Sequence, residues 1–220
     1  MAINLFGYGK TMAWPENEIQ TLEAQARLVE PLLPDDETKV SIVGHSYGGS
    51  VAMKAASLFK DQVHRLVLIE PNPFYLLRQH GRDDAFQEAK NLRDTIKASG
   101  KNDSWPRAAE VFANYWTGNG SWDSMPDDRK AKFTTALKPN FHEWDGVMNE
   151  ETPISEWAKD LPSDTTVIST ADTVPTIEEI VSVMQEHIPE WNYERIERGG
   201  HMAAMTKPDL INPIVERALS

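Results

Sequence analysis

A single serine stands among three glycines in the stretch KVSIVGHSYGGSVAMKAA, which runs from Lys39 to Ala56. The apolar run Val40–Val43 before it is typical of a short buried strand, and Tyr47–Leu58 after it has the pattern of a helix. Gly44 to Gly48 fit G-x-S-x-G, in which a strained strand-to-helix turn exposes a serine hydroxyl at the carboxyl end of a strand. Because pentapeptide, strand and helix agree, Ser46 is predicted to be a nucleophile rather than an incidental serine in a glycine-rich turn.

The glycines and the start of the helix have separate roles at this turn. Glycine destabilises strands and helices because it loses much conformational freedom on folding. It is therefore expected at positions where the side chain of any other residue would clash. We therefore expect Gly44 and Gly48 to lie too close to a neighbouring strand or helix for a Cβ atom. The first N–H groups of the following helix point toward the serine, where negative charge on an oxygen would develop. This predicts the backbone N–H of Tyr47 as an oxyanion donor.

Short β-branched runs alternate with helical patterns along much of the chain. Such alternation indicates βαβ units, so the predicted fold class is α/β, a mostly parallel sheet with flanking helices. The predicted strands are Ala2–Phe6, Val40–Val43, Val63–Ile69, Thr165–Ser169 and Trp191–Ile196. The predicted helices outside the central part are Glu16–Leu33, Tyr47–Leu58, Thr176–Ile188 and Pro208–Leu219.

The strand pattern disappears between Pro71 and Trp157, a segment that holds five of the seven tryptophans. Its helical stretches are Phe74–Ser99, Pro106–Trp116 and Pro126–Val147. An all-helical insertion in an α/β chain indicates a cap over the sheet. The predicted division is residues 1–72 as the first part of the core with the serine turn, 73–157 as the helical cap, and 158–220 as the second part of the core.

Composition excludes several classes of protein. The net charge of −12 argues against nucleic acid as a partner, because the chain could not neutralise a run of phosphates. Without cysteine, disulfides, thiolate catalysis and cysteine-type zinc sites are excluded, and we predict neither a cofactor nor a metal ion. No apolar stretch approaches the roughly 18 residues of a membrane span, and the N-terminus lacks the features of a signal peptide. We therefore expect a cytoplasmic protein with no membrane partner, whose oligomeric state stays open.

The serine turn and its flanking segments resemble the α/β-hydrolase superfamily over nearly the entire chain. Residues 4–11, NLFGYGKT, look like the D-L-x-G-Y-G-x-S segment that precedes the nucleophile elbow in these enzymes, with Asn4 in place of the usual aspartate. Residues 63–70, VHRLVLIE, resemble the strand after the elbow, and residues 199–209 resemble the segment that carries the catalytic histidine. Residues 115–122 fit a Y-W-x-G-x-G-x-W pattern of uncharacterised bacterial members. The resemblance implies an α/β-hydrolase fold with an all-helical cap.

The base and the acid of a catalytic triad have candidates in this sequence. His201 directly follows the last predicted strand, behind two glycines, and the order serine, acid, histidine matches this fold. His45, inside the elbow, is expected to be structural because its side chain points away from the serine. Two carboxylates compete for the acid: Asp172 lies one residue before the place of the family's G-x-x-D pattern, and Glu70 ends the strand after the elbow, as in haloalkane dehalogenases with a glutamate acid. Glu70 is favoured over Asp172.

The resemblance also implies three strands before residues 4–11, about 60 residues that this sequence does not contain. The loop that supplies the second oxyanion N–H would be missing with them, and Val40–Val43 is expected at an edge of the sheet. The predicted function is a serine hydrolase that cleaves an ester or related acyl bond of a small apolar substrate through an acyl-enzyme, with aromatic cap residues lining its pocket. The alternative is a truncated, catalytically inactive remnant or fragment that retains only binding.

Overall fold

The sheet at the centre of the protein has four parallel strands. The structure is a computed structural model that describes residues 1–220. The strands are β1 (Val40–His45), β2 (Val63–Ile69), β3 (Thr165–Thr170) and β4 (Asn192–Ile196), and they lie in the order β1-β2-β3-β4. Since all of them run the same way, their carboxyl ends meet at one edge of the sheet. Four of the predicted strands and the α/β class are confirmed.

Helices connect the strands. Those outside the segment between β2 and β3 are α1 (Leu22–Ala26), α2 (Tyr47–Leu58), α9 (Pro175–His187), α10 (Ala203–Thr206) and α11 (Pro208–Leu219). The intervening helices, between β2 and β3, are α3 (Tyr75–Gln79), α4 (Asp83–Lys101), α5 (Trp105–Thr117), α6 (Asp127–Ala136), α7 (Asn140–Asn149) and α8 (Ile154–Asp160). The predicted all-helical character of this segment is confirmed. None of the helices combines the length and the apolar character that crossing a membrane requires.

Successive residues of β2 pack on opposite faces of the sheet. Leu66 and Leu68 belong to the larger apolar cluster, whereas Val67 and Ile69 belong to a smaller cluster with Ile211 of α11. A strand that is buried on both faces is a continuous apolar run instead of an alternating one. For this reason the bounds of β2 could be predicted to the residue.

The prediction of a strand at Ala2–Phe6 is wrong. Residues 1–5 form no regular structure, and the backbone N–H of Phe6 donates to Oε1 of Gln25 in α1 at 3.1 Å. A strand exists only where a neighbouring strand accepts its hydrogen bonds. This segment lies against α1 instead, and Leu5 contributes a partly buried side chain to the larger cluster.

The helix predicted over Glu16–Leu33 is much shorter in the structure. The α-helical part begins at Leu22, where the Thr21 side chain accepts a hydrogen bond from the N–H of Ala24 at 3.1 Å. From Arg27 to Leu32 the chain forms a 3₁₀-helix that contains Pro31. A proline ring clashes with the carbonyl group four residues before it, here that of Arg27, so the α-helix ends at Ala26.

Strand β1, which carries the serine at its end, lies at an edge of the sheet and pairs only with β2. The expected edge position of Val40–Val43 is therefore confirmed. Ser41 is exposed, and 44% of Val43 is open to solvent. The strand is thus held by backbone hydrogen bonds on one side only.

Candidate active site

Ser46 occupies a strained turn between β1 and α2. Its backbone dihedrals are φ 55° and ψ −122°, a region that residues with a side chain rarely enter. The N–H of Ser46 donates to the carbonyl oxygen of Ile69 at 2.9 Å, which extends the β1–β2 ladder up to the turn. Helix α2 begins at the next residue, Tyr47. The turn therefore lifts the serine hydroxyl out of the backbone at the carboxyl edge of the sheet.

A Cβ atom would clash at Gly44 and be tightly packed at Gly49, and these are not the two positions that were expected. A Cβ atom on Gly44 would lie 2.2 Å from the carbonyl oxygen of Gly48. On Gly49 it would lie 3.0 Å from Cβ of Pro71, whereas on Gly48 it would have no neighbour within 4 Å. The expectation for Gly44 is confirmed and that for Gly48 is wrong, because the close approach uses the Gly48 carbonyl group instead of its Cα.

The structure brings Ser46, His201 and Glu70 together in one chain of hydrogen bonds. The Ser46 hydroxyl donates to Nε2 of His201 at 2.8 Å, and Nδ1 of His201 donates to Oε2 of Glu70 at 3.0 Å. Gly199 and Gly200, with φ of +134° and +64°, turn the chain after β4 so that His201 lies beside the serine. Glu70 and His201 are both buried, with 1% and 3% of their surfaces exposed to solvent.

The Glu70 carboxylate accepts hydrogen bonds from three residues. Besides His201, Thr170 donates to Oε1 through its N–H at 2.8 Å and its hydroxyl at 3.0 Å, and the Thr173 hydroxyl donates to Oε2. Burial by itself raises the pKa of this carboxyl group, but the hydrogen bonds from His201 and Thr173 together hold the pKa below its usual value. The group is therefore a carboxylate at neutral pH although it has almost no contact with water.

Asp172 does not approach His201. Its exposed carboxylate accepts hydrogen bonds from the backbone N–H groups of Gly199 at 3.0 Å and Gly200 at 2.7 Å. The bond from Gly199 contributes most to lowering the pKa of Asp172. Asp172 thus braces the loop before His201, while Glu70 contacts the imidazole itself.

His45 contacts both the backbone and the ring of His201. Its Nε2 donates to the backbone oxygen of His201 at 2.8 Å, and the two imidazole rings are 5.0 Å apart. Burial, followed by the charge of His201, lowers the pKa of His45 to about 4. A neutral His45 therefore ties the elbow to the backbone of the histidine loop, in line with the structural role that was expected.

Trp116, from α5, covers the imidazole of His201. The two ring centroids are 4.0 Å apart at an angle of 31°, and Trp116 is buried. Phe112 and Tyr115 of the same helix pack against this indole. The Y-W-x-G-x-G-x-W pattern marked this segment as distinctive, but no feature of the sequence indicated which of its aromatic residues would meet the histidine.

A small cavity opens beside the Ser46 hydroxyl, with a volume of about 60 Å³. Its wall is shared between β-strand ends and the intervening helices, and its polar part was missed by the sequence analysis. The lining residues are Ser46, Tyr47, Asn72, Phe112, Trp116, Asn140, Glu143, Trp144 and Val147. For Asn72 a signal existed, since it follows β2 at the carboxyl edge of the sheet, whereas Asn140 and Glu143 lie within a helical pattern that gives no such indication.

Glu143 is a buried carboxyl group in this wall without a basic partner. It accepts a hydrogen bond from Nδ2 of Asn140 at 2.7 Å, and Oδ1 of Asn140 accepts one from the Trp144 indole at 2.9 Å. Burial raises the pKa of Glu143, and the hydrogen bonds from Asn140 and Tyr8 offset only part of this effect. The structure contains no cluster of three or more histidine, aspartate or glutamate side chains placed to hold a metal ion.

Comparison with known proteins identifies the family. The sequence profile of the alpha/beta hydrolase family matches residues 1–214. The chain belongs to the alpha/beta hydrolase family. The G-x-S-x-G turn, the helix after it and the histidine loop of this alpha/beta hydrolase all lie within the matched region.

Individual proteins match this alpha/beta hydrolase either over a short part of the chain or at low sequence identity. Lipase LipV of Mycobacterium tuberculosis (strain ATCC 25618 / H37Rv) is 38% identical over 71 residues, which is 32% of this chain and only 26% of the lipase. The structure of MGS-M2, an alpha/beta hydrolase enzyme from a Medee basin deep-sea metagenome library, matches 98% of this chain and 77% of that chain, with a TM-score of 0.74 and 18% identity. The esterase EaEST from Exiguobacterium antarcticum matches 99% of this chain and 80% of that chain, with a TM-score of 0.72 and 18% identity. At such identities the likeness to solved structures establishes the fold.

The two glycines of the elbow should respond in opposite ways to alanine. Gly44→Ala should lower the free energy of unfolding by about 3 kcal/mol or more, because its Cβ has no room against the Gly48 carbonyl group. Gly48→Ala should leave the free energy of unfolding unchanged or raise it by up to about 1 kcal/mol, because alanine favours the helix. Urea unfolding of both variants and the parent protein measures this difference, and equal losses in the two variants would contradict the geometry of the turn.

His45 should make this alpha/beta hydrolase less stable as the pH falls. Its pKa is about 4 in the folded protein against 6.5 in the unfolded chain, so the unfolded chain binds more protons between these values. The free energy of unfolding should therefore decrease as pH falls through this window, by about 3 kcal/mol for this residue. His45→Gln keeps an N–H at the position of Nε2 but does not titrate. Urea unfolding at several pH values should give a flatter pH dependence for this variant, and parallel curves would refute the assignment.

Proposed function

We propose that the protein is a serine hydrolase that cleaves an ester or related acyl bond of a small substrate through an acyl-enzyme on Ser46. The observation that carries this proposal is the continuous hydrogen-bond chain from Glu70 through His201 to Ser46, with distances of 3.0 and 2.8 Å. A nucleophile, a base and a group that orients the base in this order are the parts of a catalytic triad. Their position at the carboxyl edge of a parallel sheet is the one at which ligands bind in open α/β folds.

The reaction follows from the direction of these hydrogen bonds. Ser46 Oγ forms a bond to the acyl carbon while its proton passes to Nε2 of His201, and the carbonyl oxygen becomes an oxyanion. When the tetrahedral intermediate collapses, the alcohol leaves with the proton from Nε2. Water then attacks the acyl-enzyme by the same route, which yields the acid and restores the Ser46 hydroxyl. Glu70 keeps the imidazole in the tautomer whose Nε2 accepts a proton, and it stabilises the imidazolium.

The backbone N–H of Tyr47 is the donor that we assign to the oxyanion. It is the first N–H of α2, and the first N–H groups of a helix have no partner within the helix. The Tyr47 phenol group donates to Oε1 of Gln20 at 2.8 Å, which holds this residue at the start of the helix. The helix dipole also favours negative charge at this position.

The intervening helices form the cap in this proposal, and the sheet with its flanking helices forms the core. Trp116, Phe112 and Trp144 reach the cavity from α5 and α7, so the cap would bound the acyl side of the substrate. The names of two relatives, a lipase and an esterase, are in keeping with ester hydrolysis. The size of the cavity favours a short acyl group over a long one.

Replacement of the nucleophile tests the proposal directly. Ser46→Ala should abolish labelling by a fluorophosphonate probe and should reduce the turnover of short-chain p-nitrophenyl esters by about 10⁴-fold or more. Ser41→Ala, at an exposed position of the same strand, is the matched control and should keep both properties. Ester turnover that persists in Ser46→Ala would remove the serine from the mechanism, and absence of turnover in the parent protein would favour the alternative of an inactive protein that only binds.

The two carboxylates should differ sharply in their effect on turnover. Glu70→Gln should lower kcat by at least about 10²-fold, because an amide no longer favours the required tautomer of His201. Asp172→Asn should lower kcat by less than about 10-fold, since it alters only the bracing of the loop. Steady-state ester hydrolysis by both variants, with folding checked by circular dichroism, measures the difference. A larger loss in Asp172→Asn would assign the acid to Asp172.

A further inference from the structure

We propose that the protein hydrolyses acetyl and propionyl esters, and that the side chain of Val147 in α7 sets this limit on the acyl chain. The cavity beside Ser46 holds the acyl chain, and Val147 closes the cavity against a longer one. This inference rests on the proposed function, because it names the substrate class and a specificity-determining residue of the same site.

The position of His201 decides which half of an ester enters the cavity. The alcohol oxygen takes its proton from Nε2 of His201, so it has to lie within hydrogen-bond distance of that atom. Ser46 and Tyr47 line the cavity, whereas His201 does not. The alcohol therefore leaves on the side of His201, away from the cavity. The acyl chain, whose carbonyl carbon is bonded to Ser46 Oγ in the acyl-enzyme, is the half that the cavity receives.

The volume of the cavity limits the length of this chain. The cavity measures about 60 Å³. An apolar cavity of about 150 Å³ in a protein binds benzene, which has six carbon atoms. At the same volume for each carbon atom, the cavity beside Ser46 holds about two or three of them. Because protein interiors are closely packed, a longer chain fits only if the wall gives way.

Val147 belongs to the face of α7 that is turned to the cavity. Asn140, Glu143, Trp144 and Val147 all line the cavity. Their spacing of three, four and seven residues from the first of them places all four on one face of the helix. The side chain of Val147 is short and buried, so it cannot turn to solvent from this position. Its methyl groups are therefore part of the wall.

The other members of this face are fixed by contacts of their own. Asn140 is hydrogen-bonded to Glu143 at 2.7 Å and to the indole of Trp144 at 2.9 Å, and the Trp144 ring stacks on Phe74 with the centroids 5.4 Å apart. The side chain of Val147 has no polar atom and belongs to the larger apolar cluster. A substitution at Val147 therefore changes the volume of the cavity without breaking a polar contact.

A series of acyl chains on one leaving group measures the limit. The substrates are p-nitrophenyl acetate, propionate, butyrate and hexanoate, and kcat/KM is divided by the alkaline hydrolysis rate of each ester to correct for intrinsic reactivity. In the parent protein the corrected value should fall by at least about 10-fold from propionate to butyrate, the effect of one methylene that a pocket cannot hold. Corrected values that stay level or rise up to hexanoate would overturn the proposal.

Substitution of Val147 tests its role. Val147→Ala removes two methyl groups from the wall and should raise the corrected ratio of butyrate to acetate by about 10-fold or more, and Val147→Ile should lower it. Val183→Ala is the matched control, at a buried valine of α9 that belongs to the same apolar cluster but does not line the cavity. It should keep the ratio of the parent protein. An unchanged ratio in both folded Val147 variants, or an equal change in Val183→Ala, would overturn the role of Val147.

The alcohol half of the ester tests the orientation of the substrate. Val147→Ala should leave the ratio of kcat/KM for butyl acetate and ethyl acetate as it is in the parent protein, because the alcohol lies outside the cavity. A change in this ratio with a constant acyl preference would place the alcohol in the cavity and overturn the proposal.

Alkanesulfonyl fluorides separate this inference from the proposed function. Ser46 Oγ forms a bond to sulfur, the S–F bond breaks and fluoride leaves, so the alkyl chain takes the place of the acyl chain without a hydrolysis step. Intact-mass spectrometry should show labelling by ethanesulfonyl fluoride at least about 10-fold faster than by butanesulfonyl fluoride, and a smaller difference in Val147→Ala. Equal Ser46-dependent rates would overturn the chain-length limit. Absence of all Ser46-dependent labelling and ester turnover would instead count against the proposed function.

Discussion

The buried hydrogen bonds of the Glu70 carboxylate are the interaction on which the site depends. A carboxylate that is removed from water is tolerated only when donors replace its hydration, and here they come from the end of β3, from the loop after it and from His201. These groups are brought together only when β2, β3 and the histidine loop are all in place. The same contacts that stabilise the buried charge of Glu70 therefore also align the imidazole of His201 with Ser46. The stability of the fold and the geometry of the candidate site are coupled at this point of the sheet.

The intervening helices complete the site from the other side. Trp116 lies over the imidazole, so the hydrogen bond between Glu70 and His201 is shielded from water. A hydrogen bond in such surroundings is electrostatically stronger than in water. The arrangement has a cost, since the indole N–H of Trp116 is buried without a partner and such a group is unfavourable by about 1–3 kcal/mol. Departures of this kind from local rules occur mainly at functional or strained sites.

Sequence patterns identify the parts of this protein that obey local rules, and they fail where distant segments decide the structure. The elbow, β2 and α2 follow from glycine spacing, continuous apolar runs and helical periodicity, and His201 and Glu70 follow from their places after strands. Ala2–Phe6 has a strand-like composition, but whether it pairs depends on which strand lies beside it. The role of Gly48 could not be inferred because the close contact is made by its carbonyl group. The cavity wall combines Asn72 with Glu143 through tertiary packing, which has no signature in the order of residues.

The position of β1 at the edge of the sheet has a consequence for how the protein tolerates change. The hydrogen bonds of Ser46 are made with α2, with Ile69 of β2 and with His201, and none of them uses the unpaired edge of β1. The backbone groups at the unpaired edge of β1 take no part in positioning Ser46. The geometry around Ser46 therefore does not depend on the free edge of β1: a strand paired with that edge would extend the sheet and leave the hydrogen bonds of Ser46 in place.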